Sequence, residues 1–495
     1  PTSMDSLLSQ LAHLAAWTAR ECPNVQAVTV DTSPYHHAGA NEAQDVAIAV
    51  ATGVEYLRAM TTAGMDLSDA AGQIEFRLRV GTQQFLSIAK LRALRRLWAN
   101  VLAASGQPEA AAGARIHVQI SDLALTQRDP YVNVLRNTIA AFSACAGGAD
   151  AVTCAPFDKL LGWPDEFSRR IARNTMLILQ QEAGLHHVAD PAGGSWFLDQ
   201  LTEQLADKAW GIFQEIERRG GMSKSLESGW IASEIGAVFA RRAKDVACRK
   251  QGVTGVSEFP NVAEEPVARE QPSQQQLRSA VAERVSRVKE QASCAHELDE
   301  LATGADKVEA AVQAALAGAT VGQMSQALGF ARSQSVCCTP LAPERLAAPF
   351  ERLRDACDAW QQEHGRRPMV FLAKFGSPAD FTARAMFAKN FFEAGGFETF
   401  GDVGFADAQS AADAFAASGA ACAVICSSDK VYPECVPVAA RLLKTQGART
   451  VVLAGAPGDN EAAWRAAGVD RFIFMKCDVL ATLEEMLREQ AVLIP

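Results

Sequence analysis

Alternating strand and helix patterns in the first 182 residues constrain the fold more than any other feature of the sequence. Each of four short apolar runs precedes a longer segment whose apolar residues recur at helical spacing; the runs are 26–31, 76–80, 116–120 and 150–154. Four such units predict parallel strands joined by right-handed crossovers. They fit either half of a (β/α)8 (TIM) barrel or most of an open sheet, and the periodicity does not distinguish the two.

A second alternating region begins after Arg366. Five strands are expected, at 370–373, 398–400, 423–426, 450–453 and 471–474, and they are separated by helices at about 382–394, 407–418, 433–446, 460–467 and 478–490. Five strand–helix units in this space predict a flavodoxin-like doubly wound sheet, which binds ligands beyond the carboxyl ends of its strands.

Between these regions the pattern changes. A strand is expected at Val253–Phe259, and charged helices are expected at 276–292, 305–317 and 343–363. The sequence therefore predicts an α/β protein of three parts. These are part of a barrel over 1–221, a helical linker region over 222–366 and a flavodoxin-like domain over 367–495.

Charge and cysteine usage exclude several functions. The formal net charge of −10 argues against a nucleic acid or an anionic membrane surface as the partner. No apolar run reaches the ~18 residues of a membrane span. The 12 cysteines lack the paired CxxC spacing of zinc sites, so reduced thiols in a cytoplasmic protein are expected. Because the first residue is Pro1 and not methionine, a fragment or a processed product is expected.

Two groups of side chains could carry chemistry in the first region. His36 and His37 follow the first strand, where a barrel places its catalytic groups, so either could be a general acid. The alternative is a pair of solvated loop histidines. Arg169 and Arg173 share a helix face that could hold a phosphate or carboxylate, although a solvated or ion-paired face is the simpler interpretation.

Two glycine-containing turns are also conspicuous. In Asp190–Trp196 a double glycine precedes Ser-Trp, which favours a structural role over catalysis. Ala454–Gly458 follows the fourth strand of the second region and fits either a contact with a planar ligand or a plain turn. Neither GxGxxG nor GxxxxGK[ST] occurs, so these motifs give no support for nucleotide binding.

The loop after the first strand of the second region holds no metal-binding side chain of the usual kind. Gly376–Ala383 contains no His, Lys, Arg or Cys, and all eight histidines of the chain precede residue 365. A metal-ligating loop would need an imidazole or a thiolate.

Taken together, the chain resembles the methylmalonyl-CoA mutase family. The segments that carry the resemblance run in order along nearly the whole chain: 35–40 (YHHAGA), 51–58 (ATGVEYLR), 88–93 (IAKLRA), 128–133 (RDPYVN), 170–175 (RIARNT), 190–196 (DPAGGSW), 255–260 and 341–354. The resemblance implies a substrate barrel cut near its middle, a helical linker and a cobalamin-binding-type C-terminal domain. Active members of the family interconvert methylmalonyl-CoA and succinyl-CoA with adenosylcobalamin.

The cobalamin motif of the family is altered here. Active members carry DxHxxG, in which the His binds cobalt, together with a later Ser-x-Leu and Gly-Gly. In this chain Pro378 stands at the Asp position, Asp380 at the His position and Ala383 at the last Gly. Ser427-Ser428-Asp429 replaces Ser-x-Leu, and Ala454-Gly455 keeps one glycine. The resemblance therefore implies that the cobalt site is lost.

The barrel region also differs from that of the active family members. Tyr35 and His36 are out of register with the catalytic His of the active members, and Phe76–Arg79 brings charge where they have aromatic or small residues. These departures resemble the small, non-catalytic subunit of the heterodimeric mutases. They imply no catalytic, cofactor-binding or metal-ligating residue in this chain, and a large subunit as the partner that binds adenosylcobalamin.

Two alternatives stay open at this point. One is a self-sufficient acyl-CoA mutase with an unusual cobalt ligand. The other is a ligand-sensing or scaffold protein that uses the altered C-terminal domain.

Overall fold

The computed structural model describes residues 4–107, 113–271, 273–291, 294–329, 338–401 and 403–493. The chain forms two compact units. Unit 1 comprises 1–125, 133–238 and 268–343, and unit 2 comprises 126–132, 239–267 and 344–495. No helix in the described ranges is both long and apolar enough to cross a membrane.

Unit 1 is built on a four-stranded parallel sheet in the order β1-β2-β3-β4. Its strands are β1 (Val28–Asp31), β2 (Ile74–Val80), β3 (Arg115–Ile120) and β4 (Ala151–Thr153). The predicted strands and their parallel pairing are confirmed. One face of the sheet is apolar and packs under the helices, since alternate residues of β2 are buried.

Helices join these strands as the periodicity predicts. They are α1 (Met4–Glu21), α2 (Ser33–His37), α3 (Glu42–Thr62), α4 (Leu67–Gly72), α5 (Gln84–Ala104), α6 (Val132–Ala146) and α7 (Glu166–Leu177), which continues as a π-helical turn over Ile178–Glu182. The N-cap of α3 is Asn41, which forms a capping box with Gln44.

A helical stretch follows. Its members are α8 (Trp196–Arg218), α9 (Gly221–Glu227), α10 (Trp230–Ala247), α11 (Gln274–Gln291), α12 (Ala295–Thr303), α13 (Lys307–Leu316), α14 (Val321–Ala327) and α15 (Ala348–His364). Residues of this stretch belong to both units, and the three-part division at 221 and 366 stays a prediction.

Unit 2 holds a five-stranded parallel sheet in the order β6-β5-β7-β8-β9. The strands are β5 (Met369–Lys374), β6 (Glu398–Phe400), β7 (Cys422–Cys426), β8 (Thr450–Ala454) and β9 (Arg471–Ile473). They alternate with α16 (Pro378–Ala394), α17 (Ala408–Ser418), α18 (Tyr432–Thr445), α19 (Glu461–Ala466) and α20 (Val479–Glu489). Both faces of this sheet are covered, because the adjacent β5 residues Phe371 and Leu372 point to opposite faces and pack in different core clusters.

Three local predictions are wrong. Val253–Phe259 is a turn with one isolated bridge, not a strand, because Gly255 and Phe259 have φ values of +78° and +51° that extended backbone does not allow. The loop after β1 contains the helix α2, which starts with a proline in its first turn. Helix α16 begins at Pro378, four residues earlier than predicted.

Candidate functional site

The start of α16 occupies the position that the altered cobalamin motif marks. Ser377 is the N-cap, Pro378 lies in the first turn, and Gly376 before them has a φ of +87°. The Asp380 carboxylate accepts hydrogen bonds from the Ser377 backbone N–H at 3.0 Å and from the Ser377 hydroxyl at 2.6 Å, both on Oδ2. Asp380 therefore caps its own helix.

The second oxygen of Asp380 is also engaged. Oδ1 accepts a hydrogen bond from the hydroxyl of Ser428, in the loop after β7, at 3.0 Å. The side chain and backbone of Ser377, followed by Ser428, lower the pKa of Asp380 through these bonds. The carboxylate is thus held as an ionised acceptor that ties two loops of the carboxyl edge together.

Tyr432 closes the edge between β7 and β8. Its side chain is buried, and its hydroxyl donates to the Ala454 carbonyl at 2.6 Å and accepts from the Ser427 backbone N–H at 3.1 Å. Ser427 in turn donates through Oγ to the Phe375 carbonyl at 2.7 Å. These bonds connect the ends of β5, β7 and β8, and burial raises the pKa of Tyr432.

Arg384 of α16 also contacts this end of the sheet. Its Nη1 donates to the Ala454 carbonyl at 3.1 Å, and its Nη2 pairs with the two oxygens of Asp429 at 3.1 and 3.2 Å. A Cβ at Gly455 would lie 3.1 Å from the Tyr432 ring and 3.2 Å from Arg384. Ala454–Gly458 therefore faces side chains of its own chain, which is the plain-turn alternative of the sequence prediction.

The donor set of this edge does not fit cobalt. Residues 365–495 contain no histidine. Cys426 is buried at the end of β7, and burial raises its pKa to about 12, so it stays a protonated thiol. Within the described ranges no group of three or more His, Cys, Asp or Glu side chains could hold a metal ion.

The carboxyl edge of the unit 1 sheet holds a buried polar cluster around His36. Its Nε2 lies 2.7 Å from the Ser121 hydroxyl and its Nδ1 lies 3.7 Å from Asp45 Oδ2. Ser121 already accepts the Leu123 N–H at 3.1 Å, so its O–H is available to donate to a neutral imidazole. The prediction of two solvated histidines is therefore wrong for His36, while His37 is half-buried.

Lys90 supplies the positive charge of this cluster. Its ammonium pairs with the fully buried Asp45 carboxylate and donates to the Arg79 carbonyl at 2.8 Å. Burial acts to raise the pKa of Asp45, but Lys90 and His36 outweigh it and lower the pKa to about 2. Burial, opposed by Asp45, lowers the pKa of His36. A neutral His36 beside an ion pair is a stable structural arrangement, and Ser121, which is 1% exposed, is closed to substrate.

The sheet face opposite the helices is charged. Arg77 lies 3.6 Å from Asp31 and 4.0 Å from Glu75, and His117 lies 3.8 Å from Glu75. Arg79 on the same face donates to the Ser33 hydroxyl at 2.9 Å. This face therefore carries ion-paired side chains where the family resemblance leads us to expect a substrate-lined interior.

The other candidates of the sequence fall into structural roles. Arg169 and Arg173 are exposed on α7, as expected of a solvated face. In the 190–196 turn a Cβ at Gly193 would lie 2.8 Å from Asp190 Oδ2, and Asp190 pairs with Arg92 at 3.0 Å. Close packing therefore accounts for the glycine at 193.

Sequence reasoning missed Asp45, Arg384 and Tyr432. None of the three had a usable signal in the sequence, because each makes its contacts with segments distant along the chain. The capping role of Asp380 could have been found, since Ser-Pro-Ala-Asp at a helix start has acceptors at the N-cap and at the third helical position.

Titration of His36 should appear in the pH dependence of stability. A histidine in the unfolded chain titrates near 6.5, and the folded pKa of His36 is lower, so the unfolded chain binds more protons as the pH falls. The contribution of His36 to the free energy of unfolding is therefore complete above pH ~6.5 and declines as the pH falls below that value. His36→Asn should reduce the dependence of the unfolding free energy on pH by up to about 1.4 kcal/mol per pH unit, the value for one proton. Urea unfolding between pH 7.5 and 5.5 measures this dependence.

The matched control is His296→Asn. His296 is exposed and its pKa is raised, so its contribution has the opposite sign and its removal should not flatten the slope. An unchanged slope in the His36 variant would contradict the assignment.

Comparison with known proteins identifies the family. The methylmalonyl-CoA mutase family model matches residues 1–332. The methylmalonyl-CoA mutase small subunit of Streptomyces virginiae is 41% identical over 97% of this chain and 67% of its own length, and that of Propionibacterium freudenreichii subsp. shermanii is 36% identical over 95% and 64%. The methylmalonyl-CoA mutase of Escherichia coli (strain K12) is 33% identical over 74% of this chain and 54% of its own.

The chain thus spans about two thirds of the length of its small-subunit relatives. The resemblance drawn from the motifs is confirmed, because the matches to those relatives cover the chain almost from end to end. The chain belongs to the methylmalonyl-CoA mutase family.

Proposed function

We propose that this chain is the non-catalytic small subunit of methylmalonyl-CoA mutase. It pairs with a large subunit that binds adenosylcobalamin and the acyl-CoA, and the heterodimer interconverts methylmalonyl-CoA and succinyl-CoA. The observation that carries the proposal is the set of hydrogen bonds that ties the start of α16 to the ends of β5, β7 and β8 in unit 2. There Asp380 stands at the position of the cobalt ligand and uses both oxygens within the chain.

The fold assigned to each region is part of the proposal. We infer that the unit 1 sheet is part of a (β/α)8 barrel, supported by its four parallel strands in sequential order and by the alternating burial of β2. We infer a flavodoxin-like domain over 367–495, supported by strands that run 2-1-3-4-5 when numbered from β5. The helical region over 222–366 would then be the linker.

A cytoplasmic location completes the proposal. Every described cysteine is free, and the thiols at the centre of the unit 2 sheet, Cys422 and Cys426, are fully buried. Unpaired thiols are typical of reducing compartments.

Because the residues of unit 2 do not fit cobalamin, no catalytic step is assigned to this chain. Its contribution would be structural: a folded surface that stabilises the large subunit. The acidic net charge and the ion-paired face of the unit 1 sheet are consistent with a supporting chain.

Helix α11 supports association with another chain. Every described side chain from Gln274 to Arg287 is exposed, although Leu277, Val281 and Val285 form an apolar stripe at four-residue spacing. Helices of this length gain most of their stability from packing of such a stripe. A helix that leaves its apolar stripe uncovered in this way is a candidate surface for a partner.

Co-purification tests the proposal. This chain and a methylmalonyl-CoA mutase large subunit, mixed at micromolar concentration, should elute together from a sizing column. Val281→Glu should weaken the complex about tenfold or more, because a buried charge would replace an apolar contact. Gln275→Glu, on another face of the same helix, is the control and should leave the complex intact.

Separate elution of the two wild-type chains would contradict the proposal. Rearrangement of methylmalonyl-CoA by this chain alone with adenosylcobalamin would instead support the self-sufficient mutase. No observation in the described structure favours that alternative.

A further inference from the structure

A groove in unit 2 is separate from the closed edge between β7 and β8. It has a volume of about 280 Å³ and lies between α16 and the β5–β6 side of the sheet. The side chains that matter for its chemistry are Lys374, Phe381, Met386 and Lys389, and Leu372 and Thr399 also line it. The volume is close to the lower end of ordinary small-molecule sites.

The positive end of the groove is Lys374. This residue is the last of β5 and is half-buried, and its ammonium lies 5.9 Å from the centre of the Phe381 ring. Among the described residues it has no carboxylate partner within 4.0 Å. Lys389 at the other wall is different, because it lies 3.8 Å from Glu393. The charge available to a ligand is therefore that of Lys374.

The apolar wall is held in place by the backbone opposite. A Cβ at Gly404 would lie 2.7 Å from Cε1 of Phe381, so the loop after β6 approaches the ring more closely than any other residue would allow. Met386, five residues further along α16, is 66% exposed and adaptable in shape. A fixed aromatic ring beside a flexible thioether can cover the apolar body of a small molecule.

We propose that this groove binds a small organic anion, with its acid group at Lys374 and its apolar body against Phe381 and Met386. Carboxylates and phosphate monoesters share this chemistry. An ammonium without a carboxylate partner among the described residues gains a charge-assisted hydrogen bond from either. The proposal is independent of the small-subunit assignment, because it involves neither α11 nor the β7–β8 edge.

Ligand-observed NMR and calorimetry on the full chain would test it with three probes: benzoate, phenyl phosphate and the neutral benzyl alcohol. We expect both anions to bind and the alcohol to bind at least about tenfold more weakly. A clear preference for one anion identifies the acid group, and either preference supports the proposal.

Substitutions at Lys374 and Met386 test whether charge in the groove, and not a change in the fold, controls anion binding. Lys374→Gln should weaken anion binding about tenfold, the factor for loss of one charge-assisted hydrogen bond. Met386→Glu should weaken it similarly and Met386→Lys should preserve or strengthen it, and neither change disturbs the core because Met386 is exposed. Lys430→Gln, an exposed lysine outside the groove, is the matched control.

Three results would overturn the proposal. These are no binding of either anion at millimolar concentration, equal binding of the neutral probe, and anion binding that survives Lys374→Gln unchanged.

Discussion

Lys90→Met should destabilise unit 1 by about 3–5 kcal/mol, because it leaves a buried carboxylate without its counter-charge. Asp45 is fully buried, and its Oδ1 has no hydrogen-bond partner among the residues that the structure describes. The loss is comparable to a large part of the ~5–15 kcal/mol that stabilises a typical domain. Urea unfolding followed by hydrogen exchange of the β1–β3 amides would localise the effect to unit 1.

Two controls make this result specific. The double variant Asp45→Asn/Lys90→Met removes both charges and should be less destabilised than the sum of the single variants. Lys224→Met breaks an exposed pair with Glu227 and should leave the unfolding midpoint unchanged. A Lys90 variant that behaves like the Lys224 variant would show that the buried pair contributes little.

Tyr432→Ala should destabilise unit 2 by about 3–5 kcal/mol through the cavity it leaves. The ring packs against Trp464 at 6.1 Å and is 1% exposed, so little solvent can replace it. The same change also leaves the Ser427 N–H without its acceptor. Thermal or urea unfolding of the full chain would measure it through the unit 2 transition.

Tyr432→Phe is the matched control, since it keeps the ring and removes the hydroxyl. It should cost about 1–3 kcal/mol, the range for a buried group left without its partner. Equal losses for the two variants would assign the effect to the hydroxyl alone, and a negligible loss for both would contradict the account of Tyr432 as the link between β7 and β8.

Regular elements could be predicted from the sequence where periodicity and capping agreed. The nine strands follow apolar runs, and the start of α3 follows from Asn41 and Gln44, because these signals lie within a few residues of the structure they specify. The strand prediction for Val253–Phe259 failed because its β-branched and apolar residues suggest a strand, while the positive φ values of Gly255 and Phe259 make a turn.

The candidate sites could be predicted only in part. The absence of the family's cobalt ligand is predicted from residue 380 alone, because one position decides it, and it stays a prediction. What replaces it was not visible, because Arg384, Ser428 and Tyr432 come from three segments that meet only in the folded sheet. Burial of His36 likewise depends on Asp45, Lys90 and Ser121, which are up to 85 residues away.

The most direct test of the central claim is a visible-spectrum titration of the chain with adenosylcobalamin. No spectral change is expected with cofactor on the order of tens of micromolar, because Asp380 is hydrogen-bonded within the chain and Arg384 and Tyr432 occupy the β7–β8 end of the sheet. Asp380→His should give the same result, since those two side chains remain. A shift of the wild-type titration to a base-off, protein-ligated spectrum would contradict the account and place a cobalt ligand in this chain.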